Sequence, residues 1–437
     1  MNDSSPHALS PYATARRAES VGASRWALML GPLLITGAAF GVFLLSSLYL
    51  EARDGIAYFG ADSDHYSTME HLATHHRAAR FHPATIVLGL AWMELLSPLT
   101  AWIAPQVLLK AMFAAAGAAG VLAAIWAFAA LLPRDYALLG GILYGNSLGV
   151  WYFSAIPESK ILTATLATLY IAAYIRYRQH WTLPRSIGLT TILAVACLNE
   201  IVSGFLIAIP AVDFLLQRSL DWRRVRWLVA HVLVALVAWF VLEVFVNGWL
   251  IPESQSPEHQ SHLALLLHYI AANNYGLATI HDFFANWFFF NLVAPTPHAL
   301  WWSELGGYFQ PSLVAYLWSP LAVAALLVIA VMVAASLLPR TRAASLGPAG
   351  SLLLPLAAYA LIRAVFFFIF NPGEALLFSS AVTLPHWLIL LVPFAASRFP
   401  AKRALLAVLC VLLFATNASF MAGPDGWSGL AMRLDMK

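Results

Sequence analysis

Apolar stretches of about 20 residues recur along the whole chain, each long enough to cross a hydrocarbon core of roughly 30 Å. That spacing leaves little room for an independent water-soluble domain. Only 10% of the 437 residues are charged, against roughly a quarter in soluble domains, so the chain cannot coat a water-facing globule. The expected fold class is therefore all-α: a polytopic membrane protein of one transmembrane domain. A cytoplasmic N-terminal tail covers residues 1–25. The domain runs over 26–422 with outer loops at 51–83 and 251–312, and a C-terminal tail covers 423–437.

The formal charge of +3 is small and gathered in short loops, which makes it a topology signal and excludes a nucleic-acid partner. Cys197 and Cys410 both sit in apolar runs and read as buried thiols. Trp26 to Leu50 is too long for the apolar core of a signal peptide and lacks a small-residue cleavage site, so it reads as a retained anchor.

Basic residues set the threading. Arg16, Arg17 and Arg25 put the N-terminus in the cytoplasm by the positive-inside rule. Arg134, Arg176 with Arg178, the Arg218 to Arg226 group, Arg340 with Arg342, and Arg398 with Lys402 and Arg403 mark later cytoplasmic turns. Parity then forbids an ordinary crossing at Ala84 to Ile103, which is expected to lie in the outer interface as a juxtamembrane helix. Ser186 to Gln217 starts and ends beside cytoplasmic arginines, so it is expected to break into two half-length helices near Asn199 and Glu200. Such breaks are tolerated only inside protein or against a wet cavity. The full count comes to about eleven crossings with the C-terminus outside.

On this threading the acidic residues collect at the outer face. Glu158, Glu200 and Glu374 fall closest to membrane depth, where a carboxylate costs several kcal/mol unless partnered or hydrated. Three such groups from separate helices suit one outward-facing polar cavity. Lys160 follows Glu158, as its ion partner or as a point charge for a phosphate. Arg363 lies mid-span, where it needs a carboxylate, a phosphate or water. Glu374 ends the same span in Asn371-Pro372-Gly373-Glu374, as a cavity cover or simply a helix cap.

The first outer loop reads Tyr58-Phe59-Gly60-Ala61-Asp62-Ser63-Asp64-His65-Tyr66 and continues to Phe81-His82-Pro83. A carboxylate here can take a proton from an attacking hydroxyl or help hold a divalent ion. It can also be a solvated N-cap. His65, His71, His75, His76 and His82 crowd the same loop. His71 and His75, four apart, have a metal-compatible helical spacing but no third ligand at a defined distance. Further on, Asn273-Asn274-Tyr275, His281-Asp282, Asn286-Trp287 and Trp301-Trp302 interleave rings with amides, as a carbohydrate surface or an interfacial aromatic belt would.

The segment from Trp26 to Pro210 resembles the GT-C superfamily of membrane glycosyltransferases, especially the protein-mannosyltransferase-like branch, glycosyltransferase family 39. The first span is followed by an acidic outer-loop motif, with Asp62 at its first acidic position and Tyr66 at its tyrosine, and His82-Pro83 opens the next helix. Ser154 to Glu158 and the break at Leu198-Asn199-Glu200 match later elements in style. Ser63 departs from the second acidic position, with Asp64 beside it, and Asn199-Glu200 stands where an arginine is common.

The resemblance implies a polyprenyl-phosphate-linked sugar as donor and a glycan, lipid or protein as acceptor. It implies transfer at the outer face of a bacterial inner membrane. Asp62, aided by Asp64, would be the base. Tyr66, His82, Glu158, Lys160, Glu200, Arg363 and Glu374 would bind substrate. No cofactor is called for beyond a candidate divalent ion. The competing readings are a secondary transporter or lipid flippase, in which the intramembrane charges form a pathway to both faces, and a non-catalytic subunit of the same architecture.

Overall fold

The computed structural model describes residues 25–53, 82–179, 182–217, 221–242, 262–273, 275–295, 300–303, 308–311, 313–337 and 349–422. Among these the chain is overwhelmingly helical. In order come α1 (Arg25–Arg53), α2 (Pro83–Leu95), α3 (Pro105–Leu131), α4 (Arg134–Asn146), α5 (Leu148–Ala155) and α6 (Ser159–Tyr177). Then follow α7 (Leu183–Asn199), a 3-10 turn (Ile201–Ile207), α8 (Ala208–Leu216), α9 (Trp222–Phe240), α10 (His262–Ala272) and α11 (Leu277–Phe284) with a π-helical continuation (Ala285–Phe290). A short antiparallel hairpin, β1 (Leu300–Ser303) and β2 (Tyr308–Pro311), pairs Leu300 with Pro311 and Ser303 with Tyr308. The chain closes with α12 (Pro320–Leu337), α13 (Leu353–Phe370), α14 (Ala375–Ser379), α15 (Thr383–Ala396) and α16 (Lys402–Ala422).

Among the described residues six helical segments are long and apolar enough to cross a bilayer: Met29–Leu50, Pro105–Leu131, Pro320–Leu337, Leu353–Phe370, Pro372–Ala396 and Lys402–Met421. The chain is an integral membrane protein. The other described helices are shorter, broken or, like α6 and α9 with 19 residues each, less apolar. The β1–β2 hairpin is an addition to the all-α expectation. The tails and the loop carrying Asp62, Asp64 and Tyr66 lie outside the described residues.

Two expected irregularities are present. Helix α2 has 13 residues, about 20 Å at 1.5 Å per residue, which is too short to span the hydrocarbon. It runs into a 3-10 turn (Ser97–Ala101) and Trp102, which is 87% exposed. The apolar run after Ser186 breaks at Glu200, whose extended backbone (φ −154°, ψ 112°) separates α7 from the 3-10 turn. A third break was not foreseen: the expected span Tyr136 to Phe153 is cut at Ser147. Here Leu148 N–H and Gly149 N–H donate to the carbonyls of Leu292 (3.3 Å) and Asn291 (2.9 Å). The Asn417 amide donates to the carbonyls of Asn146 (2.6 Å) and Leu292 (3.0 Å). Backbone freed inside a bilayer must be satisfied by protein, and distant segments do so here.

Helix α3 is the hub, packed against α1, α4, α5 and α6. Its Ala- and Gly-rich middle allows close approach, because attraction between helices in lipid comes from van der Waals fit. A Cβ at Gly117 would meet the Ser154 side chain of α5. One at Gly120 would meet Thr165 Oγ1 of α6 at 2.9 Å and Tyr144 of α4 at 3.2 Å.

A buried charge cluster ties the arginine-rich end of the bundle. Arg178 donates to Asp213 on α8 through Nη2 (2.7 Å) and Nε (3.1 Å), and to Ser351 Oγ (3.0 Å). Tyr174 Oη donates to Asp213 Oδ2 (2.6 Å) and the Gln217 amide to Asp213 Oδ1 (2.7 Å). Every oxygen of this fully buried carboxylate is engaged, the condition under which a buried charge is tolerated. Tyr174→Phe removes one of these charge-assisted bonds and is expected to cost about 1.5–3 kcal/mol. A thermal melt in detergent reads it, and an unchanged midpoint would show the bond adds nothing.

Candidate active site

The opposite ends of α6 and α7 meet at the Glu200 break, and the charges gather there. Glu200 is 5% exposed. Lys160 Nζ, in the first turn of α6, lies 3.1 Å from Glu200 Oε1. Arg363 Nη2, from α13, lies 2.5 Å from Oε2. Both cations are buried as well. One carboxylate therefore binds two cations contributed by helices far apart in sequence.

The surroundings are aromatic. Lys160 Nζ sits 4.6 Å from the centre of the Phe378 ring and Arg363 Cζ 5.0 Å from that of Phe367. Those two rings stack 3.8 Å apart at 12°. Arg363 Nε also donates to the Phe378 carbonyl at 3.4 Å. Rings give cations some compensation for lost water but leave hydrogen-bond donors open. The hydroxyl of Tyr359, one helical turn before Arg363, interacts with the guanidinium and adds a polar group to the same place.

Asn199 holds the break in place. Its side-chain amide donates to the Ser159 carbonyl (3.2 Å) and to Thr163 Oγ1 (2.8 Å). Its Oδ1 accepts from Thr85 Oγ1 (2.6 Å), and its carbonyl accepts from His82 Nδ1–H (2.6 Å). His82 is the first residue described after the loop that bears Asp62 and Asp64, and Thr85 lies in the first turn of α2. The C-terminal root of that loop is thus fastened one residue from Glu200.

The expected site residues divide into three groups. Lys160, Glu200 and Arg363 converge directly, and His82 joins them through Asn199. Glu158, 2% exposed, is the residue before α6 and accepts from Ser159 Oγ at 2.9 Å. The carboxylate that Lys160 meets is Glu200, forty residues on. Glu374 ends a 3-10 turn (Pro372–Glu374) that packs against α11. Asp62, Asp64 and Tyr66 lie outside the described residues, as do His65, His71, His75 and His76.

The pattern reading did not single out Asn199 as a hub, or Asp213. A signal existed for Asp213, since it is an acid inside an apolar run and should have been treated like Glu200. Among the described residues no group of three or more His, Cys, Asp or Glu side chains is placed to hold a metal ion.

No family model and no curated protein matches the chain. Among solved structures it is similar to ArnT from Cupriavidus metallidurans bound to undecaprenyl phosphate, with 16% identity and a TM-score of 0.48 over 84% of this chain and 60% of that one. It is also similar to ArnT from the same organism in the apo state, with 14% identity and a TM-score of 0.37 over 84% and 77% of the two chains. The chain spans 60% of the length of the first of these structures.

Proposed function

We propose that this protein is a GT-C-type glycosyltransferase that moves a sugar from a polyprenyl-phosphate donor to an acceptor hydroxyl at the outer membrane face. The carrying observation is the ion network of Lys160, Glu200 and Arg363, buried at a helix break. Two positive charges on one negative leave a formal surplus of one. A sugar–phosphate–lipid diester carries one negative charge, which this surplus matches. The lipid phosphate that departs carries more, so the same cations bind the transition state more strongly than the ground state. Arg363 and the Tyr359 hydroxyl supply hydrogen-bonding groups at the same place.

In this reading Glu200 keeps both cations aimed, and Glu158 and Glu374 orient the sugar or its acceptor. Asp62, with Asp64 and Tyr66 beside it in the first loop, takes the acceptor proton. The acceptor oxygen forms the new bond to the anomeric carbon, and the carbon–oxygen bond to phosphate breaks with its electron pair passing to the leaving group. Fastening of His82 to Asn199 supports the arrangement, because it roots the loop of Asp62 beside Glu200. The reading places the protein in a bacterial inner membrane with this end facing the periplasm. A divalent ion held by the loop carboxylates is a separate question and carries no step here.

The test is to incubate the protein in lipid nanodiscs with undecaprenyl phosphate carrying labelled mannose, glucose, galactose or arabinose. Release of undecaprenyl phosphate with the label moved to an acceptor is the expected result. Movement of an intact donor between leaflets, without cleavage, would replace this reading by the flippase.

A further inference from the structure

We infer that the acceptor of this transfer is a carbohydrate, held on a strip formed by His281, Phe284 and Phe288; the inference rests on the glycosyl-transfer reading. The strip belongs to α11 and its π-helical continuation, which lie outside the six spans and pack against the Pro372–Glu374 turn. Nothing in the Lys160–Glu200–Arg363 network uses it.

Its polar element is a histidine–aspartate pair. His281 Nδ1 lies 3.0 Å from Asp282 Oδ1, with the histidine side chain 37% exposed and the aspartate side chain 4%. An ionised carboxylate only accepts, so in the neutral imidazole this contact puts the proton on Nδ1 and leaves the Nε2 lone pair as an acceptor. Asp282 is itself anchored, its carbonyl accepting from the Asn286 amide at 2.8 Å in the π turn. Partial burial raises the Asp282 carboxyl above its ordinary value, and the His281 contact opposes that shift. A carboxylate kept largely from water, against an imidazole presented to it, is an arrangement for orienting the ring.

The second element is aromatic and independent of the first. Phe284 and Phe288 stack on each other (5.5 Å, 18°) and are 48% and 38% exposed. They follow His281 by three and seven residues, so the three share one helical face. The inner rings of the segment serve packing instead. Phe283 stacks on Trp287 at 5.2 Å and meets Phe368 at 5.3 Å, and Trp287 reaches Phe367 beside Arg363. One aromatic layer thus runs from the strip to the charged network. Exposed flat rings beside an outward acceptor suit a sugar, whose C–H face stacks while its hydroxyls donate. A plain lipid alcohol has no use for the imidazole. π-turns inside helices are frequent at functional sites. His281 would accept from an acceptor hydroxyl other than the one that attacks, which makes it a binding residue.

The experiment measures transfer from the undecaprenyl-phosphate sugar that the wild type cleaves to octyl glucoside and octyl mannoside, for the wild type, His281→Ala and His281→Gln. The alanine variant is expected to raise the acceptor KM about tenfold, the loss of one hydrogen bond, with kcat and donor KM within about threefold. Glutamine, whose side-chain oxygen can stand in for Nε2, is expected to recover most of that loss. A purely structural pair at the helix end would instead lower the melting temperature and leave the acceptor KM in place, which would overturn the inference. So would a wild type that cleaves donor but passes the sugar only to water or long-chain alcohols, with the glycosyl-transfer reading left standing. Failure to cleave any donor would remove that reading and this inference together.

Discussion

Arg363→Met is expected to produce the largest combined loss of stability and donor affinity in the protein. Methionine keeps much of the side-chain volume, so the change isolates the charge. Glu200 would keep Lys160 but lose its second cation while remaining buried. Lys160 still compensates the carboxylate, so the cost is that of one charge-assisted hydrogen bond, about 1.5–3 kcal/mol. Donor affinity should fall about 10- to 100-fold, the worth of one charged hydrogen bond. The two effects separate in a variant that neutralises the whole network, Arg363→Met with Glu200→Gln and Lys160→Met, which leaves no buried charge without a partner. Its melting temperature should recover most of the loss, whereas binding of undecaprenyl phosphate should stay weak. Recovery of binding in this variant would mean that the network serves the fold alone.

Asp62→Asn is expected to do the converse. The residue lies in the first outer loop, and its assigned task is to take a proton from the attacking hydroxyl. Loss of general-base assistance lowers rates by roughly 10²- to 10⁴-fold, while an asparagine of nearly equal size leaves stability and donor binding close to wild type. Single-turnover transfer read beside equilibrium binding of undecaprenyl phosphate distinguishes these. Full activity in the asparagine variant would remove Asp62 from the chemistry, and Asp64→Asn would then be the variant to measure.

The breaks in this fold were legible because topology and charge constrain them together. Arginines at both ends of the Ser186 to Gln217 run forced an even number of passes, and the run was too short for two full ones. The polar pair Asn199-Glu200, near the middle of the run, was the place to fold back. The same parity argument left α2 without room to cross. Partner choice was not legible. Lys160 is two residues from Glu158 in sequence, yet its partner is Glu200, because the start of α6 is packed against the end of α7. Spans that are apolar all round carry no stripe that says which faces meet, so neither the stacking of Phe367 on Phe378 nor the placing of Arg363 could be read from spacing. The break at Ser147 escaped for a related reason: its backbone is satisfied by Asn291, Leu292 and Asn417, far along the chain.

Helix α6 is grasped at both extremities. Lys160 holds Glu200 at one terminus, and Tyr174 and Arg178 hold Asp213 at the other. Both acids belong to the interrupted α7–α8 segment, and α13 meets each of them or its cation, through Arg363 and by way of Ser351 just before its start. A lever pinned at each end cannot swing. Rocking these elements to open a route between the two sides of the membrane would require both grips to release at once, leaving charges stranded in hydrocarbon. The architecture favours a stationary frame around the Lys160–Glu200–Arg363 network.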